Sequence, residues 1–381
     1  MQFSIFSIVA GTSRCVTVCP FCVSGELATA QNREVPEINH RNLRKAIALR
    51  MGMGRSPSTM KVYNENHHSS VHPELLNELA SYRYWRNFKA DEYIEQKTAL
   101  LNRYMSQCHL DTAVVAVSGG IDSALVLALV NEASKREDSP IKKIVPVAMP
   151  LYDGVLTNQE DATARAKELC ETLSLDLTTV PINGLVSAYI TTAETANYQT
   201  TPWATGQMGA YARTSFLYYL NSLLNEQGFK PILVGTTNMD EGCYLGYVGK
   251  ASDGLVDIQL ITDIHKSEVY ACSQLLGIPE SIMTVVPNGD MYDGRVDTEV
   301  FGAPYDIVEL YLAERQHKIT VHVSDEAQDE YDEYKSALDK LHRYNRHKYF
   351  ALSPAVHLDL WSTETDDGYI NYHKRLETIL E

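Results

Sequence analysis

The chain has no apolar run approaching the roughly 18–20 residues that a bilayer-spanning helix requires, so none of its segments reads as a membrane span. Its opening, MQFSIFSIVAGTSRC, is mildly apolar but carries no basic region, and a signal peptide is not expected. Basic residues are in deficit. Lys and Arg number 33 against 49 Asp and Glu, a formal net charge of −16. That balance argues against a nucleic-acid or anionic-membrane surface, although a site can be basic locally. Cysteine is odd in number at seven, and four of the seven (Cys108, Cys170, Cys243 and Cys272) are scattered. A disulfide framework is therefore not expected, and a reducing cytoplasm is the expected compartment. No internal repeat is visible.

What is present is the composition of a globular protein, 44% hydrophobic and 22% charged over 381 residues. That length suits two domains, or one large domain with appendages. Residues 1–60 hold three close cysteines and then a polar, basic stretch; they read as a separate N-terminal fragment. Residues 61–84, which contain the polar NENHHSSVHPE, read as a linker and the start of a helix. Helical spacing runs from Pro73 to Met105. It places Leu75, Leu76 and Leu79 on one face, then Tyr93, Ile94, Leu100, Leu101 and Tyr104 on another.

Strand-like and helix-like segments then alternate: TAVVAVS, SALVLALVNEASKRE, KIVPVAMP, TNQEDATARAKELCETL, DLTTVPI, a helical region over 184–226, and PILVGTTN. Such alternation implies βαβ units. The expected fold class is α/β, a parallel sheet with helices on both faces, over residues 85–312. Beyond Leu312, DEAQDEYDEYKSALDKLHRYNRHK reads as a helix with a solvated face and SPAVHLDLW as a less regular segment. Residues 313–381 are expected to be a C-terminal helical extension.

The stretch VVAVSGGIDSALVLALV, residues 114–130, is a buried strand, a polar loop and an apolar helix. In a parallel sheet the carboxyl ends of the strands face the ligand, and Ser118 stands at such an end. The helix that follows presents unpaired amides at its N-terminus, and Gly119 and Gly120 clear side chains from the approach to them. With the hydroxyls of Ser118 and Ser123 this makes an anion cradle suited to phosphate. It is neither the G-x-x-x-x-G-K-[ST] loop, since no lysine follows, nor G-x-G-x-x-G. Asp122 beside a phosphate cradle is repulsive unless a cation lies between them, and Mg²⁺ suits that position. The bland alternative is a tight turn with a serine or aspartate cap.

S-G-G-x-D-S after a strand resembles the pyrophosphate loop of the N-type ATP pyrophosphatases, the PP-loop superfamily, whose Rossmann-like fold is that of the adenine nucleotide alpha hydrolases. GMP synthetase, asparagine synthetase, tRNA-modifying enzymes and NAD synthetases share that loop. Residues downstream narrow the choice. Thr236, Glu241, Lys250, Asp253-Gly254, Asp257 and Lys266, in the run that opens GTTNMDEGCYLGYVGKASDGLVDIQ, follow the order found in NAD synthetases. VPNGDMYDGRVDTEVFGAPYDIVELYL resembles the family's next segment, with Asn288 where the family has threonine. Arg213 resembles an alanine-arginine helix position, and His347-Lys348 a C-terminal pair. One extra residue lies between Glu241 and Lys250, and 313–340 is longer and more charged than the family pattern.

The resemblance implies an ammonia-dependent ligase that amidates deamido-NAD. The nicotinate carboxylate attacks the α-phosphate of ATP, pyrophosphate leaves, and ammonia displaces AMP from the acyl-adenylate. It places Ala116, Val117, Ser118, Gly119, Gly120, Ile121, Asp122, Ser123, Thr236, Lys266 and Asn288 at ATP. Arg213, Lys250, Asp257, His347 and Lys348 fall at the dinucleotide, and Asp122 and Glu241 at Mg²⁺. No side chain is the nucleophile, so catalysis is positioning and electrostatics. The family is typically a homodimer, and no nucleic-acid or membrane partner is expected.

Two further readings concern the N-terminus. Some NAD synthetases carry a nitrilase-type glutaminase there. Roughly 85 residues precede this core, too few for such a domain, so free ammonia or ammonia from a separate partner is expected. CVTVCPFC spaces Cys15, Cys19 and Cys22 as C-x3-C-x2-C, which resembles the radical-SAM motif whose thiolates hold a [4Fe–4S] cluster that binds S-adenosylmethionine. A barrel of that kind needs far more chain than the 60 residues here, so a truncated remnant is the expectation. A radical-SAM fusion, another PP-loop amidating enzyme and a non-catalytic nucleotide sensor are the competing readings.

Overall fold

The computed structural model describes residues 71–152, 159–242, 244–289, 294–317, 319–349, 356–358 and 369–370. The fragment 1–60 with Cys15, Cys19 and Cys22 lies outside them. In chain order come α1 (Pro73–Arg86), α2 (Ala90–Gln107), β1 (Thr112–Ala116), α3 (Ile121–Ser134), β2 (Lys143–Ala148) and α4 (Glu160–Leu173). Next are β3 (Thr178–Thr179), α5 (Asn183–Thr195), α6 (Pro202–Glu226), β4 (Pro231–Gly235), α7 (Met239–Gly242) and β5 (Ile258–Gln259). Then follow α8 (Lys266–Leu275), α9 (Glu280–Met283), α10 (Asp297–Phe301) and α11 (Tyr305–His317). The series ends with α12 (Asp325–Tyr344), α13 (Arg346–Tyr349), β6 (Val356–Leu358) and β7 (Tyr369–Ile370).

The strands form one sheet in the order β3-β2-β1-β4-β5-β6-β7. Every pairing from β3 to β6 is parallel, and β7 closes the edge antiparallel. This is the expected α/β sheet. β1 pairs with β2 on one side and β4 on the other, through Val114 with Val145 and Leu233. After β1 the chain therefore builds outward through β2 and β3, then returns to build from β4. The connections leave β1 and β4 in opposite directions and open a crevice at the carboxyl ends of the two strands.

Alternation along β1 assigns its faces. Ala113 and Val115 pack into a core with residues of α2, α3 and α8, while Val114 joins Val145, Val147, Val186, Leu217 and Leu224 on the α5–α6 side. Helix α3 lies between the sheet and α2 and α8, which is why SALVLALV has no polar face and is buried almost all round. Pro146 is tolerated within β2 because β3 pairs only with Val147 and Ala148, so no partner awaits its missing N–H.

A third core joins α1, α11 and α12 through Leu75, Leu79, Tyr82, Val308, Tyr311, Tyr331 and Leu338. The helical spacing read from Pro73 onward is a packed helix, started by Pro73 itself at its first position and capped by His72. The charged helix α12 has the solvated face expected but still buries Ala327, Tyr331 and Leu338. SPAVHLDLW differs from its reading as an irregular segment. It contains β6, which pairs Val356 with Ile258 in the sheet. Three residues carry too short a pattern to announce a strand, and the partner lies far away in sequence.

Candidate active site

At the crevice, the loop after β1 is folded on its own hydroxyls. Ser118 N donates to Ser123 Oγ (3.2 Å), Gly120 N donates to Ser118 Oγ (3.3 Å), and Ser123 Oγ donates to the Gly120 carbonyl (3.1 Å). Gly120 is the extended N-cap of α3. Gly119 has φ +78°, and a Cβ there would stand 2.2 Å from the Ala162 carbonyl oxygen in α4. The need for glycine at 119 is thus set by the backbone of α4 and by left-handed φ, a correction to the reading that both glycines serve ligand access. Arg165 Nε donates to the Gly119 carbonyl at 2.9 Å and pins the loop from the same helix. Val117 and Ile121 are buried in the core and so fix the backbone of the cradle in place.

Three charged groups converge beside this loop. Asp122 projects from the first turn of α3, Glu241 from α7 and Lys266 from the start of α8. The Lys266 ammonium lies 2.5 Å from Asp122 Oδ2 and 2.9 Å from Glu241 Oε1. Its side chain is only 2% exposed, whereas Asp122 and Glu241 retain 18% and 16%, so the carboxylates form the accessible side of the cluster. Asn238 Nδ2 donates to Asp122 Oδ1 (2.8 Å) and Glu241 Oε1 (2.9 Å), while its Oδ1 accepts from Glu241 N (3.1 Å). The amide is held by its own helix start and in turn holds both carboxylates.

Burial pushes Asp122 up to about 6; the neighbouring Glu241 charge adds to the rise and Lys266 opposes it. Burial also works against ionised Glu241, but the Lys266 charge and the bonds from Tyr305 and Asn238 outweigh it and hold this carboxyl below its usual range. Lys266 suffers desolvation too, yet the two carboxylates raise it well above its ordinary value. Tyr305 donates to Glu241 Oε1 (2.7 Å) and also lies 2.8 Å from Asp297 Oδ2. Its one proton serves one of these acceptors at a time. Burial and the Glu241 charge raise Asp297 above its ordinary range, while Lys266 and the bonds from Tyr305 and Tyr247 oppose the rise.

Two ionised carboxylates therefore face one ammonium. The described residues hold no trio of His, Cys, Asp or Glu that could form an all-protein cation cage. The donor set fits Mg²⁺ in its usual manner, through one or two carboxylates with phosphate oxygens completing the sphere.

The remaining sequence-predicted residues are spread around this centre. Thr236 follows β4 directly and is half-buried. Asn288 is exposed, and Gly289 beside it approaches the Tyr247 hydroxyl. Arg213 reaches the carboxyl end of β2, donating to the Met149 carbonyl (3.0 Å) and Gln159 Oε1 (2.9 Å). Asp257 Oδ2 accepts from Leu233 N at 2.7 Å, a bond that fixes the entry to β5 against the middle of β4. Lys250 and His347 are exposed, and burial lowers Lys348 while Asp253 pulls it back up. Sequence reasoning missed Asn238, Asp297 and Tyr305. Asn238 stood in the quoted GTTNMDE, three residues before Glu241, but an amide announces no chemistry until its partners are seen.

The family model described as NAD synthase matches residues 93–351. The NH(3)-dependent NAD(+) synthetase of Methanococcoides burtonii is 32% identical over 203 residues, covering 53% of this chain and 71% of that protein. That of Thermoplasma acidophilum is 30% identical over 236 residues, covering 62% and 87%. Among solved structures, NMN synthetase from Francisella tularensis shares the fold with a TM-score of 0.55 at 23% identity, over 68% of this chain and 96% of that one. With a family match across β1 to β5, the loop after β1 and the Lys266 helix, the chain belongs to the NAD synthase family.

Proposed function

We propose that this chain is an ammonia-dependent NAD synthetase, a ligase that converts deamido-NAD, ATP and ammonia to NAD, AMP and pyrophosphate. The observation that carries the reading is the buried Asp122–Lys266–Glu241 cluster beside the 118–123 loop, at the switch point of a chain in this family. In the first step a nicotinate carboxylate oxygen bonds to the α-phosphorus of ATP and the bond to pyrophosphate breaks. In the second, the ammonia nitrogen attacks the acyl carbon, the bond to AMP breaks, and a proton is released.

The charge that develops on pyrophosphate is what the protein must meet. The amides at the start of α3, with the Ser118 and Ser123 hydroxyls, receive phosphate oxygens, and the Lys266 ammonium faces them from α8. Thr236 and Asn288 add hydrogen bonds to ATP. Asp122 and Glu241 would hold Mg²⁺, which when bound would supply Lewis-acid stabilisation of the leaving group. Arg213, Lys250, Asp257, His347 and Lys348 serve the dinucleotide, the last two from the C-terminal extension. The aromatic side chains left exposed on or between α5 and α6, Tyr189, Tyr198, Trp203, Tyr211 and Tyr219, support a homodimer closed over that face.

Among the described residues no helix is long and apolar enough to cross a membrane. A cytoplasmic enzyme of small-molecule substrates is the consistent setting. A [4Fe–4S] cluster with S-adenosylmethionine enters only if the 1–60 fragment is functional. The experiment is direct. Protein, ATP, Mg²⁺, deamido-NAD and ammonium are mixed, and NAD and AMP are expected in equal amounts. Bound ATP with neither product formed would overturn the reading in favour of a nucleotide sensor.

A further inference from the structure

Behind the Asp122–Lys266–Glu241 cluster runs a second line of polar groups that the proposed chemistry does not touch. Asp240 neighbours Glu241 in α7, yet it is wholly buried. Its Oδ2 accepts from the backbone N–H of Lys266 at 2.7 Å, and its Oδ1 lies 2.6 Å from Nδ1 of His265. His265, also wholly buried, continues through Nε2 to the Tyr82 hydroxyl in α1 at 3.0 Å. Both oxygens of one carboxylate thus hold the two residues that open α8, while the same residue's backbone carries Glu241.

Helix α7 has only four residues, too few to hold an orientation by itself. Besides the Glu241–Lys266 contact itself (2.9 Å) and a backbone bond from Met239 N to the Ile264 carbonyl (3.0 Å), the Asp240 carboxylate ties it to the start of α8 with two further bonds. A purely structural joint there would be served as well by apolar contact, since burying a carboxylate and an imidazole costs desolvation. What a two-pronged carboxylate adds is fixed geometry.

We infer that Asp240, backed by His265 and Tyr82, is a positioning residue for the amidation reaction: it sets the placement of the Lys266 ammonium relative to the Glu241 carboxylate and so the frame that the leaving pyrophosphate meets. The inference rests on the ligase reading above. Asp240 touches no substrate; it acts through its neighbours, where a shift of about 1 Å can cost on the order of 10²-fold in rate.

The test uses full-chain variants, steady-state kinetics, equilibrium binding of Mg·ATP and thermal midpoints. Asp240→Asn keeps one good acceptor and loses the other. It is expected to lower kcat about 10–100-fold, with the KM and Kd for ATP altered less than about 3-fold. His265→Asn places an amide N–H near the position of Nδ1 and keeps the bond to Asp240, whereas His265→Leu cannot. The Asn variant is expected to retain at least about five-fold more kcat than the Leu variant at a similar thermal midpoint. Asn102→Ala, which removes a buried bond to the Ala133 carbonyl far from α7, serves as the stability control and keeps its kcat.

Wild-type kcat in Asp240→Asn, or a loss no larger than in the equally destabilised control, would overturn the inference. So would equal kcat in the two His265 variants, which carry the test alone if Asp240→Asn does not fold. A wild-type chain that makes no NAD overturns the ligase reading, and the inference with it. An active wild type with unaltered variants overturns the inference alone.

Discussion

Among the described residues two lysines are fully buried, and they do opposite things. Lys97 in α2 meets the Asp263 carboxylate at 2.7 Å; both side chains are sealed, at 0% and 1% exposure, and Tyr93 also donates to that aspartate at 3.0 Å. Lys266 meets two carboxylates at 2.5 and 2.9 Å, and both still see solvent. The first arrangement is charge-balanced and closed. The second carries surplus negative charge on its open side, and one of its carboxylates is held ionised against a burial that pushes it to about 6. A sealed, balanced pair can only hold parts of the fold together, here α2 and the turn that leads into α8. An open, unbalanced one can exchange partners with a cation or a phosphate, and that separates a joint from a site.

The comparison breaks first at Lys266. Lys266→Met removes the ammonium proposed to meet the leaving pyrophosphate, and kcat for NAD formation should fall by about 10²–10³ or more. Asp122→Ala should abolish pyrophosphate release while the thermal midpoint stays level or rises, because the wild-type fold carries that carboxylate at a burial cost. Near-normal pyrophosphate release by Asp122→Ala would sink its assignment to Mg²⁺.

Lys97→Met should behave in the reverse way. Leaving Asp263 buried without its cation costs about 3–5 kcal/mol of stability in denaturant unfolding, with kcat per folded molecule unchanged. Adding Asp263→Leu should return part of that loss, since an apolar pair of similar volume replaces an ion pair without an orphaned charge. A lowered kcat in folded Lys97→Met would mean that the joint reaches the site after all.

The two lysines also differ in how far the sequence disclosed them. Lys266 was legible because it falls in an ordered series after S-G-G-I-D-S, and the parallel sheet, its first four strands and the helices up to α6 were legible from alternation and apolar spacing. Lys97, in YIEQKTALL, reads as a solvated helix position, since nothing local reveals that Asp263 closes over it from far along the chain. The same holds for Asp240, His265, Asn238 and Tyr305, whose roles are hydrogen bonds across long sequence distances or through a carboxylate's second oxygen. β6 escaped for a related reason: a three-residue strand is defined by its partner rather than its pattern. Local periodicity discloses what faces the core, and tertiary contact alone discloses what a buried polar group is paired with.

A pH profile sharpens the comparison at smaller cost to the protein. Asp122 is raised to about 6, so it takes a proton as pH falls through that value and loses its grip on a cation; Glu241 is held low and stays ionised. Activity should therefore decline about ten-fold per pH unit below about 6 and level off above it. For the ligand-free fold the sign is opposite. A carboxyl raised in the folded state contributes stability that is present below its unfolded value of 3.8 and is lost as pH rises through about 6. Asp122→Ala should erase that stability slope, and an unaltered slope in the variant would assign it to another group.

The smallest effect is expected at a third lysine, and it tests the principle beneath the other two. Lys135 lies 2.6 Å from Glu132 in an i,i+3 pair at the end of α3, a distance between the two contacts that bracket Lys266. By distance alone it should matter as much. Lys135 and Glu132 are 57% and 38% exposed, however, so water screens the attraction and both side chains must give up freedom to hold the contact. Lys135→Ala should shift unfolding by less than about 0.5 kcal/mol and leave kcat untouched. Were that pair to prove worth as much as Lys97–Asp263, separation rather than burial would decide what a lysine does here, and the distinction drawn between joint and site would have no physical ground.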